Sequence, residues 1–124
     1  MTKSEEAGNR FANGARRRRD RARMRSLGLP CAICGGAIDY GITDPHDPYF
    51  FEMDEVDPVA RGGDLRWSNY QPAHRICNQL KGKRRGFKLA FTPFLDRCGR
   101  WVYRRADAES EPEMVVSEGA LSRW

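Results

Sequence analysis

Two cysteines stand in a Cys31-Ala-Ile-Cys34 knuckle, and about forty residues later the chain reads His74-Arg-Ile-Cys77. Three thiols and one imidazole are the donor set that a tetrahedral Zn²⁺ takes in a closed structural site. Four cysteines in a chain this short could instead form two disulfides. Three of them, however, sit at metal spacing and only Cys98 is left over. Bound metal in a reducing, cytoplasmic setting is therefore the expectation. Cys98 reads as a partly buried thiol, and as the next candidate for the fourth ligand position if His74 does not fill it.

The elements that must position these ligands follow from local sequence. Residues 1–14 are polar and small, with a composition that predicts disorder. Ala15 to Leu27 is rich in Arg, Ala and Met and contains no Pro, which predicts a helix capped by Gly28 and stopped before Pro30. Gly35 and Gly36 allow the tight turn that lets two thiolates face one ion. Tyr49 to Val56 is aromatic and apolar and predicts a strand, and a second short strand or extended turn is expected from Val59 to Gly63. Asp64 to Pro72 reads as loop, with Trp67 and Tyr70 expected in the core. A helix is expected from His74 or Arg75 to a stop at Gly82. Lys88 to Phe94 fits a strand or a short helix, and Arg100 to Arg105 alternates as a strand does.

The resulting fold class is α+β. A compact domain over 15–95 is expected, followed by an extension over 96–124 with one strand and an acidic tail. So small a core buries little apolar surface and is marginal alone. A structural zinc contributes roughly 10–16 kcal/mol of apparent binding energy that folding can draw on.

Lys and Arg number 22 against 17 Asp and Glu, a formal net charge of +5 in 124 residues. The basic residues are clustered. Arg16, Arg17, Arg18 and Arg19 crowd the first helix, and Arg75, Lys81, Lys83, Arg84 and Arg85 form a second group. Such clusters are the electrostatic footprint of a polyanion binder. There is no apolar run of membrane-spanning length and no apolar segment behind the N-terminal charges, so neither a membrane partner nor a secretory signal is expected.

Between the knuckles lie Asp54-Glu-Val-Asp-Pro-Val-Ala-Arg-Gly-Gly63 and Ser68-Asn-Tyr-Gln-Pro-Ala-His-Arg-Ile-Cys-Asn78, followed by Lys81-Gly82. Together with Cys31-Ala-Ile-Cys34, these motifs resemble the HNH endonuclease family, in particular small HNH proteins of actinobacterial bacteriophages. The resemblance covers about Arg16 to Arg85. It implies a zinc-stapled ββα-metal (His-Me finger) fold carrying an N-terminal Arg-rich helix, and a metal-dependent endonuclease or nickase acting on DNA. Asp54 matches the acid that binds a divalent ion, Asn69 the residue that orients the base, and Asn78 the helix residue that completes the metal site. Glu55 stands where the family usually has its general-base His. DNA contacts are expected from the basic groups and from Arg61, and family context adds packaging-motor (terminase) proteins as a partner class.

The chemistry implied is phosphodiester hydrolysis with Mg²⁺ or Mn²⁺ as Lewis acid, held by the oxygen ligands Asp54 and Asn78. Glu55 either takes the proton from water or is a third ligand. Both need Asp54 and Glu55 at one site, although neighbours on a regular strand point to opposite faces. His46, in an Asp-Pro-His-Asp-Pro loop, is the other histidine that could substitute as base. The competing reading is a non-catalytic, zinc-dependent nucleic-acid-binding module in which Glu55 marks lost activity.

Overall fold

The computed structural model describes residues 3–58, 66–107 and 114–116, and side chains over 14–58 and 66–107. Helix α1 spans Lys3–Leu27. It takes in the segment expected to be disordered, and starts three turns before the expected Ala15. Glu5, Glu6 and Ala7 are good helix formers and offset Gly8. Its end is as expected: Gly28 adopts φ 62°, the left-handed conformation of a helix cap.

Strand β1 (Phe51–Glu55) pairs antiparallel with β2 (Tyr70–His74), in a register from Phe51 opposite His74 to Glu55 opposite Tyr70. The sequence places the second strand near Val59, which lies outside the described residues. The strand found is instead in the segment read as loop. Pro72 disguises it, since proline cannot donate to a ladder. Pro72 is tolerated because β2 is an edge strand, and its carbonyl turns outward to accept from the Ala32 amide at 2.8 Å. A single 3₁₀ turn, Trp67–Asn69, leads into it.

Helix α2 (Arg75–Lys81) follows β2 directly and ends at Gly82, as expected. Its first amides are satisfied by the loop before β1: Arg75 N donates to Phe50 O at 2.8 Å and Ile76 N to Pro48 O at 2.7 Å. These bonds clamp the helix onto the end of the hairpin. Lys88–Phe94 is extended rather than helical. Leu89 bridges Arg105, and β3 (Phe94–Leu95), β4 (Trp101–Tyr103) and β5 (Met114–Val116) form a small antiparallel sheet. β5 falls within the acidic tail of the extension, beyond the one strand expected there.

The core gathers Met24 from α1, Ile33 and Ile38 from the knuckle segment, Phe51 and Met53 from β1, Ile76 and Leu80 from α2, and Phe87, Leu89 and Trp101 from the C-terminal part. Cys31, Cys77 and His74 are buried in the same body. The cluster of candidate metal ligands is thus part of the core rather than an appendage. Tyr49 bridges the halves, with its ring edge-on to both His74 (5.7 Å) and Trp101 (5.9 Å) and its hydroxyl donating to Pro93 O at 2.7 Å.

Candidate functional site

Two clusters of candidate functional side chains flank the ββα unit. The first joins Cys31, Cys34, His74 and Cys77, whose ligand atoms all lie within 4.8 Å of one another. Tetrahedral zinc with Zn–S bonds near 2.3 Å implies sulfur separations of about 3.8 Å, so the set fits that ion. His74 Nδ1 faces the sulfurs, at 3.4 Å from Cys34 Sγ and 3.7 Å from Cys77 Sγ. Its Nε2 lies 2.9 Å from the Ala37 carbonyl. A carbonyl can only accept, so Nε2 carries a proton, and Nδ1 is the ring nitrogen turned to the sulfurs and the one that would ligate a metal.

The sulfurs are held by backbone N–H groups, as thiolate ligands require. Cys34 N and His74 N each lie 3.5 Å from Cys31 Sγ, and Gly36 N lies 3.4 Å from Cys34 Sγ. Thr92 adds its hydroxyl at 3.1 Å from Cys34 Sγ. A Cβ on Gly36 would overlap Thr92 Oγ1, so this close approach needs glycine. The protons are shared unevenly across the cluster. Hydrogen bonding from Cys31 and Cys77 lowers the Cys34 thiol far below its ordinary value, while hydrogen bonding to Cys31 and Cys34, together with burial, raises Cys77. Burial alone would lower His74, but its hydrogen bonds to the Cys31 and Cys34 sulfurs raise it to about 10. Three sulfurs and one imidazole nitrogen brought this close together suit a metal cation. Cys98 is exposed rather than partly buried and stands outside the cluster.

The second cluster is built by two periodicities. β1 sends Phe51 and Met53 into the core and Glu52 and Asp54 to the other face. α2 presents Arg75, Asn78 and Lys81, three residues apart, along that face. Arg75 Nη1 pairs with Glu52 Oε2 at 3.1 Å, and Asn78 Nδ2 donates to Glu52 Oε1 at 2.8 Å. Lys81 Nζ lies 3.3 Å from Asp54 Oδ1 and donates to Glu55 O at 2.9 Å. Gln71, opposite Asp54 in the register, donates to Asp54 Oδ2 at 2.8 Å.

Asp54 is therefore an ionisable group deep in the protein. Burial raises its carboxyl above the usual range, and the Gln71 hydrogen bond and the Lys81 ammonium oppose that rise. The Glu52 carboxylate can only accept, so the Asn78 amide must turn its NH₂ toward it, leaving Oδ1 as the amide's acceptor.

Asp54 and Glu55 lie on opposite faces of the strand, yet both line one cavity of about 150 Å³ together with Arg17, Met53, Pro58, Asn78 and Gly82. The cavity wraps round the end of β1, so no kink in the strand is needed. Arg17 Nη1 from α1 sits 3.5 Å from Glu55 Oε1 at its rim. Asn69 braces the strand exit. Its Oδ1 accepts from Asp57 N at 2.8 Å, its Nδ2 donates to Asp57 O at 2.9 Å, and its carbonyl accepts from Val56 N at 2.7 Å. These bonds act on the backbone just beyond Glu55.

The basic residues divide into two sets. Lys81, expected on the surface, is 1% exposed and belongs to the Asp54 cluster. Arg17 stacks 5.6 Å over Tyr70 and pairs with Glu55, Arg23 lies 4.0 Å over Trp67, and Arg25 lies 5.6 Å over Phe51. These arginines dock α1 on the hairpin. Arg16, Arg18, Arg19, Lys83, Arg84 and Arg85 remain exposed. Arg61 lies outside the described residues. His46 is exposed in its loop and does not line the cavity.

The sequence reading passed over Glu52, Gln71 and Thr92. Glu52 was findable, two residues before Asp54 on a strand and so on the same face. Thr92 is 58 residues from Cys34 and carries no local signal.

Residues 31–84 match the family model described as HNH endonuclease. That span holds all four residues of the zinc-type cluster and the β1–β2–α2 unit; helix α1 and the β3–β4–β5 sheet lie outside it. Searches among curated proteins and among solved structures return no match. No described helix is long and apolar enough to cross a membrane.

Proposed function

We propose that this HNH domain is a metal-dependent endonuclease or nickase that hydrolyses DNA phosphodiester bonds, with Glu55 in the general-base position. The observation that carries the reading is the convergence of Asp54, Glu55 and Asn78 on one cavity at the end of β1. HNH domains act on DNA, and the donor chemistry of the cavity suits a hard cation. A carboxylate has about four lone-pair sites, and Lys81 and Gln71 use two of those on Asp54. Asp54 and the Asn78 Oδ1 would hold Mg²⁺ or Mn²⁺, while the thiolate and imidazole set takes zinc. When bound, the hard ion supplies Lewis-acid stabilisation of charge on the phosphate and on the leaving 3′ oxygen.

The chain's own residues do the rest. Glu55 accepts the proton of the attacking water as the water oxygen bonds to phosphorus, the bond from phosphorus to the 3′ oxygen breaks, and that 3′ oxygen takes a proton from solvent, giving a 5′-phosphate and a 3′-hydroxyl. Arg17 can exchange its partly exposed pairing with Glu55 for a phosphate oxygen, because such pairs are individually weak. Lys81 fixes the Asp54 carboxylate, and Asn69 fixes the turn that carries Glu55 to the cavity rim. Arg16, Arg18, Arg19, Lys83, Arg84 and Arg85 supply phosphate contacts along the duplex. The bacteriophage setting and terminase partners suggested by the motifs rest on the motifs alone.

One observation favours the second reading, a non-catalytic nucleic-acid-binding module: Asp54 and Glu55 already have cationic partners in Lys81 and Arg17. Supercoiled plasmid with Mg²⁺ or Mn²⁺ separates the two. Ion-dependent nicking that is lost in Asp54→Ala and Asn78→Ala, at unchanged zinc content, supports the enzyme. DNA retardation without cleavage under any divalent ion supports the module and overturns the enzyme.

A further inference from the structure

A second cavity, of about 370 Å³, lies past the end of α2 and is lined by Arg84, Arg85, Phe87 and Arg105. Arg105 lies beyond residues 31–84, in the C-terminal extension. We propose that this cavity is a backbone-phosphate site through which the extension grips nucleic acid beside the cleavage cavity. The ligand class rests on the reading of the domain as one that acts on DNA. The site itself rests on how the guanidinium groups are held.

Each arginine is positioned before any ligand arrives. Arg84 Nε donates to Lys81 O at 3.1 Å, its Nη2 bonds Leu80 O, and its guanidinium lies 4.3 Å over the Phe87 ring. Arg105 lies 5.5 Å from the same ring. Its backbone is fixed by the Leu89–Arg105 bridge and by bonds from Ala90 N to Arg104 O (2.8 Å) and from Ala106 N to Lys88 O (2.9 Å). Arg85 Nε lies 2.6 Å from Asp57 Oδ1, an ionic contact without the alignment of a hydrogen bond. A planar fork already seated on an aromatic ring loses less freedom when it binds a phosphate.

Two acids face the group, Asp57 at Arg85 and Asp107 at Arg105, the latter 3.0 Å away. Among the described residues three cations face two anions there, and both pairs are partly exposed and so readily exchanged for phosphate. The two cavities are neighbours along the chain: Gly82 lines one and Arg84 the other. Asp57, next to the cleavage-cavity residue Pro58, holds Arg85. A duplex held at Asp54 would thus present a flanking phosphate to the arginines.

The test measures binding of a short DNA duplex by the zinc-loaded full chain across a salt series, without added divalent ion, alongside plasmid nicking. Arg105→Gln is compared with Arg100→Gln, which removes the same charge from an exposed arginine paired with Asp96 outside the cavity. Arg105→Gln should flatten log K against log salt by about 0.9, the loss of one phosphate contact, and weaken binding severalfold. Arg100→Gln should leave the slope unchanged. Arg105→Lys, which keeps the charge and the fold but not the fork, should keep the slope and bind more weakly than the native chain. Equal effects of Arg105→Gln and Arg100→Gln, an unchanged slope in Arg105→Gln, or no duplex binding by the native chain would each overturn the site. Should Arg105→Gln fail to fold, native affinity in Arg105→Lys would overturn it. Absence of nicking by the native chain under any divalent ion, with these binding differences intact, would count against the endonuclease and leave the site standing.

Discussion

Replacing Lys81 with Met removes the one ammonium beside Asp54 among the described residues while keeping a side chain of similar length. The side chains of Lys81 and Asp54 are 1% and 6% exposed and 3.3 Å apart. Breaking a buried pair from one side costs about 3–5 kcal/mol, because it strands a charge. A second route gives the same size. Asp54 can escape by taking a proton, and neutralising a carboxyl whose ordinary value is 3.8 at pH 7 costs about 4 kcal/mol at 1.36 kcal/mol per unit. The Glu55 carbonyl also loses its 2.9 Å donor. A loss of about 4 kcal/mol is a large part of the roughly 5–15 kcal/mol that stabilises a typical domain. Asp54→Asn/Lys81→Met removes both charges and should cost much less than the sum of the two single changes. Urea unfolding of zinc-saturated protein, followed by Trp67 and Trp101 fluorescence, reads these differences. The reasoning is refuted if Lys81→Met unfolds within about 1 kcal/mol of the native chain, or if the two changes simply add.

Other consequences can be tested alongside. Gly36→Ala should push the Thr92 hydroxyl off Cys34 and lower zinc affinity about 10–100-fold, the usual cost of losing a partner of a metal ligand; competition with a chromogenic chelator measures it, and Thr92→Val should give a similar loss that does not add to the first. Stripping zinc should unfold the ββα unit, since Cys31, His74 and Cys77 lie inside the core; far-ultraviolet circular dichroism should show lost structure that returns with zinc. Arg23→Ala should destabilise the chain by about 0.5–1 kcal/mol by removing the guanidinium 4.0 Å over Trp67, whereas Arg21→Ala, on an exposed position of the same helix, should change stability little.

The parts of this fold that sequence made legible are those governed by local chemistry. Knuckle spacing picked out all four residues of the zinc-type cluster, and the run from Arg75 to Gly82 marked α2 at both ends. What stayed hidden depends on contacts between distant segments. β2 was obscured by Pro72, which is acceptable only because its carbonyl faces Ala32 and its missing N–H faces no partner strand. Lys81 resembled its basic neighbours until the three-residue spacing with Arg75 and Asn78 placed it over Asp54. The arginines of α1 looked uniform, but Arg17, Arg23 and Arg25 meet Tyr70, Trp67 and Phe51, rings that only the hairpin brings within reach. The strand geometry seemed to forbid Asp54 and Glu55 from sharing a site. Both nevertheless line one cavity, which lies at the end of the strand.

The most direct test of the account is Mn²⁺ binding to zinc-loaded protein, followed by electron paramagnetic resonance with zinc content measured in parallel. The native chain should bind one Mn²⁺ while retaining its zinc, and Asp54→Ala should lose the Mn²⁺ but not the zinc. Equal Mn²⁺ binding by the two proteins, or no Mn²⁺ bound by a fully zinc-loaded native chain, would contradict it.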